Sequence, residues 1–123
     1  MQYLLLIHDD EKVWARMSEA ERGALFQEYM GYSNELVEAG AFVAGNQLQG
    51  SDTATVVRVR DGETLTTDGP FAETKEQLGG YYLIEVESLD DALEWAAKIP
   101  SSRIGTIEVR PVVPSRVEVE AAG

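Results

Sequence analysis

Near its start the chain has five apolar residues in a row, YLLLI at positions 3–7. Alternate side chains of a strand point to opposite faces of its sheet, so a continuous apolar run needs cover on both faces. The run therefore predicts a central strand in a covered sheet. No apolar run in the sequence approaches the length of a membrane-spanning helix.

A long amphipathic helix is predicted over 19–39. Ser18 and Glu21 have the spacing of a capping box, in which two side chains satisfy free amides at a helix start. Gly40 stands where a left-handed residue would end the helix. The residues with helical spacing on one stripe are Leu25, Phe26, Tyr29, Tyr32, Ser33, Leu36 and Val37.

A second helix is predicted after the pair Ser88 and Asp91, which repeats the capping pattern, and Pro100 ends it. Asp61 and Gly62 predict a tight hairpin turn. Further strands are predicted at 41–45, 53–60, 81–86 and 104–113, with ETLTT as the second arm of the hairpin.

The predicted order is strand, helix, strand, hairpin, strand, helix, strand. Two helices on one face of a mostly antiparallel sheet describe an α+β fold, a ferredoxin-like sandwich with an inserted β-hairpin. We expect one domain over 1–114 and a polar tail over 115–123. The second face of the sheet is too apolar for open water, which favours a homodimer packed sheet on sheet.

The chain carries 22 acidic and 10 basic side chains, a net charge of −12. That charge disfavours nucleic acid and anionic membrane surfaces as partners and favours a neutral or cationic ligand. The 123 residues include no cysteine and no visible signal peptide, so we expect a cytoplasmic protein. No spacing of ligands predicts a metal site or a cofactor.

The stretch TDGPFAETKE at 67–76 combines turn residues with charges. Asp68, Gly69 and Pro70 have a sufficient structural interpretation: an Asx turn, a glycine with unusual backbone angles and the first turn of a short helix over 71–77. In the functional interpretation, Asp68 is a general base or ligand anchor in a polar cleft. Glu73 and Lys75 have no structural explanation, which makes them candidate ligand-binding residues.

His8 ends the first predicted strand, and two interpretations are open for it. It either lines a cleft with Asp68 and supplies acid–base chemistry, or it stands over a solvated acidic loop. Trp14 and Trp95 are expected to be packing anchors, and the stripe that includes Tyr29 is favoured as core, with one hydroxyl group facing the cleft as the alternative.

The residues TDGPFAETKE, LGGYYLIEVESLDDALEWAAKIP and IEVRPV resemble the DGPF subgroup of YCII-related proteins, from YLLLIHDDE to EVRP. The resemblance implies a dimeric α/β-barrel form of the ferredoxin-like fold. It implies association with extracytoplasmic-function sigma factors, and acid–base chemistry from a histidine on the first helix together with an aspartate. This chain has no such histidine, and the matching position falls near Tyr29.

The sequence thus predicts a small homodimer that binds a small molecule between helix and sheet. Acid–base catalysis would come from Asp68 and His8, and a non-catalytic regulatory protein working beside a sigma factor is the alternative. The predicted ligand-binding residues are Tyr29, Phe71, Glu73 and Lys75.

Overall fold

The computed structural model of the chain describes residues 1–114, and the predicted tail at 115–123 lies outside the described residues. The strands are β1 (Gln2–Asp9), β2 (Phe42–Gln47), β3 (Thr55–Arg60), β4 (Glu63–Asp68), β5 (Gln77–Glu85) and β6 (Thr106–Pro111). The helices are α1 (Glu11–Arg16), α2 (Glu19–Glu38) and α3 (Leu89–Lys98), with short 3-10 turns at Ser51–Thr53 and Pro100–Arg103.

Four strands form one sheet in the order β2-β5-β1-β6, and every neighbouring pair is antiparallel. This order, with α2 and α3 packed on one face, is ferredoxin-like, as the sequence predicts. The inserted β3–β4 hairpin forms a separate two-stranded sheet. Asp61 and Gly62 both have positive φ, 52° and 78°, as the two central residues of a type I′ hairpin turn require.

Strand β1 is central, and its side chains alternate between the two faces of the sheet. The face toward the helices, here called the helix face, carries the core, and the opposite face is called the open face. The core residues on the helix face of β1 and β5 and on the helices are Tyr3, Leu5, Ile7, Tyr82, Ile84, Tyr32, Leu36, Ala92 and Ala96. Leu4 and Leu6 lie on the open face and stay partly exposed.

Helix α2 begins and ends where its caps predict. Ser18 Oγ accepts from the Glu21 amide at 3.1 Å, and Glu21 Oε1 accepts from the Ser18 amide at 3.2 Å. Gly40 has φ 71°, the left-handed conformation expected after the helix. Phe26 and Val37 were predicted for the core stripe but are 58% and 59% exposed, because each lies one position beyond the buried row.

Two local predictions are wrong. The acidic segment after β1, expected from the sequence to be a solvated loop, forms α1, because the Asp10 side chain accepts from the Lys12 amide at 2.9 Å and caps a helix. The short helix predicted over 71–77 does not form. There, Thr74 Oγ1 donates to the Glu76 carbonyl and the Gln77 amide group donates to the Thr74 carbonyl, and such local bonds compete with a helix.

Within residues 1–114, the helices are all too short or too polar to span a membrane.

Candidate functional site

Asp9 is the last residue of β1 and points to the helix face, in phase with Tyr3, Leu5 and Ile7. It is only 6% exposed, which is unusual for a carboxylate. Its Oδ2 accepts a hydrogen bond from Trp14 Nε1 at 2.7 Å. Helix α1 therefore brings an indole donor back over the end of the strand that precedes it. The other carboxylate oxygen, Oδ1, accepts no hydrogen bond from residues 1–114.

Two glycines allow the neighbouring strands to pack closely around Asp9. A Cβ atom at Gly105 would lie 2.3 Å from the His8 carbonyl oxygen and 3.0 Å from Asp9 Cβ. A Cβ atom at Gly79 would lie 3.0 Å from Asp9 Oδ1. Only a residue without a side chain fits at Gly105 without a shift of the backbone, so the close packing of the chain around Asp9 depends on this glycine.

Tyr29 on α2 and Ser101 in the turn after α3 meet on the same side. Their hydroxyl oxygens are 2.5 Å apart, and Ser101 is fully buried. Burial raises the pKa of Tyr29 to about 12, with a smaller contribution from the charge of Asp9, while the bond to Ser101 acts in the opposite direction. Tyr29 therefore keeps its proton near neutral pH, and either hydroxyl group can be the donor in the bond between Tyr29 and Ser101. We call Asp9, Trp14, Tyr29 and Ser101 the Asp9 cluster.

Burial also raises the pKa of Asp9 above its ordinary value. The hydrogen bond from Trp14 opposes this, the charges of Glu11 and Glu76 add to it, and the charge of His8 opposes it. A carboxyl group with a raised pKa is a stronger proton acceptor than a solvated one. The cluster thus combines a basic carboxylate oxygen with a pair of hydroxyl groups that can donate.

Hydrogen bonds to two carboxylates hold the segment between β2 and β3 and the end of the TDGPFAETKE stretch in place. Glu11 accepts from the Ser51 amide at 2.7 Å and from Ser51 Oγ at 2.9 Å, which ties α1 to the segment between β2 and β3. Glu76 accepts from Thr106 Oγ1 at 2.8 Å, which ties the end of the TDGPFAETKE stretch to β6. The stretch therefore reaches the cluster through its last residue and not through Asp68.

His8 lies on the open face, because neighbouring residues of a strand point to opposite sides. Its Nε2 is 3.4 Å from Glu108 Oε1, and the other oxygen of Glu108 pairs with Arg110. The Arg110 hydrogen bond and charge lower the pKa of Glu108. The predicted cleft that holds both His8 and Tyr29 is wrong, because the sheet itself separates the two side chains.

Asp68 ends β4 in the separate hairpin sheet, where it is exposed. Within residues 1–114 no hydrogen bond or ion pair joins it to His8, whose partner is Glu108, and a shared cleft for Asp68 and His8 stays a prediction. The positive φ of 94° at Gly69 confirms the unusual backbone expected there. Phe71 is 78% exposed, with the Arg58 guanidinium group 5.5 Å from its ring centre.

Glu73 and Lys75 are exposed on the same stretch, and neither makes a hydrogen bond or an ion pair within the described residues. Their predicted role in ligand binding stays a prediction. Of the ligand-binding residues predicted from the sequence, Tyr29 is the one that the structure places in the Asp9 cluster.

Sequence reasoning missed Asp9 and Ser101 and took Trp14 for a packing anchor. One signal was available for Asp9. Counting in twos from Tyr3 through Leu5 and Ile7 puts Asp9 on the same face as three apolar residues, and a carboxylate there is a candidate for function. Ser101 had no comparable signal, because it belongs to a short turn after the proline that ends α3.

Comparisons with known proteins agree with this architecture. The model of the YCII-related domain matches residues 1–116. An uncharacterized protein of Rhizobium meliloti (strain 1021) is 39% identical over 114 residues, 91% of this chain and 92% of that protein.

Among solved structures, the chain is similar to 5-chloro-2-hydroxyhydroquinone dehydrochlorinase from Burkholderia phenoliruptrix in complex with 2,5-dihydroxybenzoquinone. The TM-score is 0.56 at 15% identity, and the match covers 96% of this chain and 99% of that one. At this identity the similarity concerns the fold. The family model spans nearly the whole chain, and the chain belongs to the YCII-related family.

Proposed function

We propose that this protein binds a small molecule at the Asp9 cluster, with Asp9 as hydrogen-bond and proton acceptor. The observation that carries the proposal is a buried carboxylate with one oxygen held by Trp14 and the other free of protein donors in residues 1–114. Oδ1 retains contact with solvent, and a carboxylate oxygen that is accessible and free of protein donors can accept a hydrogen bond from a small molecule.

The same geometry suits general base chemistry. Asp9 Oδ1 would accept a proton from the bound molecule, and the Tyr29–Ser101 pair would donate a hydrogen bond to an oxygen that gains negative charge. A relative in fold, the dehydrochlorinase, was solved with a small cyclic molecule, and that similarity supports a small-molecule ligand for this fold.

The test is a fragment titration followed by ¹H–¹⁵N NMR, with the indole resonance of Trp14 as reporter and that of Trp95 as internal control. We expect fragments that shift the Trp14 resonance in the wild type and lose this effect in Asp9→Asn. The matched control is His8→Gln, which replaces the side chain next to Asp9 in the chain, on the open face of the sheet. It should leave fragment binding intact. Binding that is lost in His8→Gln or Asp68→Asn but kept in Asp9→Asn would favour the pair predicted from the sequence.

We further propose that two copies pack through their open faces and form the dimeric barrel that the resemblance implies. Leu4, Leu6, Tyr81 and Leu83 share this face of β1 and β5 and remain partly exposed in the single chain. A contiguous apolar face of this kind favours association. The association with a sigma factor stays a prediction from the resemblance.

Light scattering during size exclusion tests the dimer. The wild type should elute with twice the mass of one chain at micromolar concentration, and Leu6→Glu should shift it to the single-chain mass. Leu93→Glu, on a residue of α3 that is 46% exposed, is the matched control and should leave the mass unchanged. A single-chain mass for the wild type would contradict the proposed dimer.

A further inference from the structure

Gln77 lies opposite Asp9 on the neighbouring strand β5 and brings a second acceptor to the cluster. The two residues are register partners of β5 and β1, and partners in an antiparallel pair carry their side chains on the same face. The Gln77 side-chain NH₂ group donates to the Thr74 carbonyl. This bond fixes the orientation of the side-chain amide, so that the remaining polar atom is the acceptor Oε1. Gln77 Oε1 is buried and has no hydrogen-bond partner in the described part of the chain.

Asp9 Oδ1 and Gln77 Oε1 are therefore two acceptors without a protein donor among residues 1–114, and Gln77 Oε1 is fully enclosed. Leaving the enclosed Gln77 Oε1 unpaired is costly, and Asp9 Oδ1 is a free carboxylate oxygen, so the natural complement of this pair is a group that donates at least two hydrogen bonds. An ammonium group and a pair of hydroxyl groups both meet that requirement. A carboxylate or a phosphate ester does not.

The charges around the pair decide between an ammonium group and hydroxyl groups. The carboxylates of Glu11 and Glu76 add to the negative potential at Asp9. The described chain directs no lysine or arginine to these three carboxylates. Cations that do form ion pairs lie against other acids: Lys98 with Glu35, Arg103 with Glu28 and Arg110 with Glu108.

Aromatic side chains complete the surroundings. Trp14 contacts Asp9 directly, and Tyr29 lies close enough for the charge of Asp9 to affect it. Indole and phenol rings attract organic cations through their electron-rich faces. An acid, an aromatic ring and a neutral amide oxygen together stabilise a cationic ligand. A neutral diol in the same place would leave the negative charge of the three carboxylates uncompensated.

We propose that the ligand of the Asp9 cluster is a small organic cation, a protonated primary amine whose N–H groups donate to Asp9 Oδ1 and Gln77 Oε1. This inference rests on the proposed small-molecule function of the cluster and specifies its ligand class. It makes Gln77 a specificity-determining residue, and it excludes carboxylate and phosphate ligands from the same position.

Three probes with one scaffold test the charge: benzylamine, which is protonated at pH 7, benzyl alcohol and benzoate. Each is titrated into the full chain, with the Trp14 indole resonance as reporter and Trp95 as internal control. We expect benzylamine to bind about tenfold or more tightly than benzyl alcohol, since a charge-assisted hydrogen bond is worth about 1.5–3 kcal/mol. Benzoate should leave the Trp14 resonance unchanged.

Single-residue variants then measure how much each of the two acceptors contributes to benzylamine binding. Gln77→Met keeps the length of the side chain and removes Oε1, and should weaken benzylamine about tenfold. Asp9→Asn should weaken it further, while Glu63→Gln on the exposed hairpin strand β4 should have no effect. Circular dichroism and the melting temperature of each variant separate loss of binding from loss of folding.

The outcomes distinguish this inference from the proposed function. Benzyl alcohol or benzoate that binds as tightly as benzylamine, with binding lost in Asp9→Asn, overturns the cationic ligand and keeps the small-molecule site. Full affinity for benzylamine in Gln77→Met overturns the role of Gln77. If none of the three probes shifts the Trp14 resonance at millimolar concentration, both the cationic ligand and the proposed site are contradicted.

Discussion

Asp9 and Asp68 each end a strand, yet their surroundings are opposite. Asp9 lies at the end of central β1, is 6% exposed and holds the Trp14 indole. Asp68 lies at the end of hairpin strand β4 and faces solvent. The conspicuous motif surrounds Asp68, whereas the desolvated carboxylate is the inconspicuous one. Burial and unpaired acceptors therefore indicate a candidate site at Asp9, which the dense run of polar residues around Asp68 does not indicate.

The largest expected effect concerns the glycine beside each aspartate. Gly105→Ala should lower the free energy of unfolding by roughly 3 kcal/mol, because its Cβ would lie 2.3 Å from the His8 carbonyl oxygen. Gly69→Ala meets no neighbour within 4 Å and suffers only from its positive φ of 94°, at a cost of roughly 1–2 kcal/mol.

Urea unfolding at pH 7 measures both changes. Gly23→Ala in α2 is the control: nothing lies within 4 Å of its Cβ position, and alanine should stabilise the helix by about 0.5–1 kcal/mol. A cost at Gly105 no larger than that at Gly69 would show that the strands around Asp9 are not tightly packed.

A second effect comes from the indole donor. Trp14→Phe removes the hydrogen bond to Asp9 Oδ2 and should cost about 2 kcal/mol, because a buried carboxylate loses its donor. The pKa of Asp9, followed through its ¹³C carboxyl resonance, should rise in this variant. Trp95→Phe, on α3 and packed against Tyr32, should leave that pKa in place. An unchanged Asp9 pKa in Trp14→Phe would remove Trp14 from the cluster.

The pH dependence of stability provides a third comparison. The pKa of Asp9 is raised in the folded state, so its contribution is fully present below its unfolded pKa of about 4 and is lost as pH rises through the folded value. Asp9→Asn should therefore become progressively more stable relative to the wild type as the pH rises above about 4.

Differential scanning fluorimetry of both proteins at several pH values checks this, because all other carboxylates are common to them. Asp68→Asn, on the exposed aspartate, should change the free energy of unfolding by less than about 0.5 kcal/mol. A wild-type advantage over Asp9→Asn that grows with pH would mean that the charged form of Asp9 is stabilised and not penalised.

The smallest expected effect is on the TDGPFAETKE stretch itself. Arg58→Ala removes the guanidinium group above the exposed Phe71 ring and should cost about 0.5 kcal/mol. Phe71→Ala should cost a similar amount, and the double variant should cost no more than either single one if the pair is coupled. Chemical denaturation of the four proteins measures the coupling. Additive costs would show that the two side chains do not interact.

Much of the fold could be predicted because its signals are local. The caps at Ser18 and Gly40 define α2, and Asp61 with Gly62 defines the hairpin turn. The site could not be predicted in the same way, since its members come from distant parts of the chain: β1, α1, α2 and the turn after α3. His8 and Tyr29 were placed together because the sequence does not show that a sheet lies between them.

By itself, the sequence determined the order of the strands and of the helices α2 and α3, the central position of YLLLI and the ends of the long helix, because these depend on residues close in the chain. Only the tertiary structure decided which aspartate is buried and which oxygens lack donors. Those properties arise when β5 brings Gln77 opposite Asp9 and Gly105 lets β6 approach. The motif TDGPFAETKE drew attention to Asp68, and long-range packing moved the candidate site to Asp9.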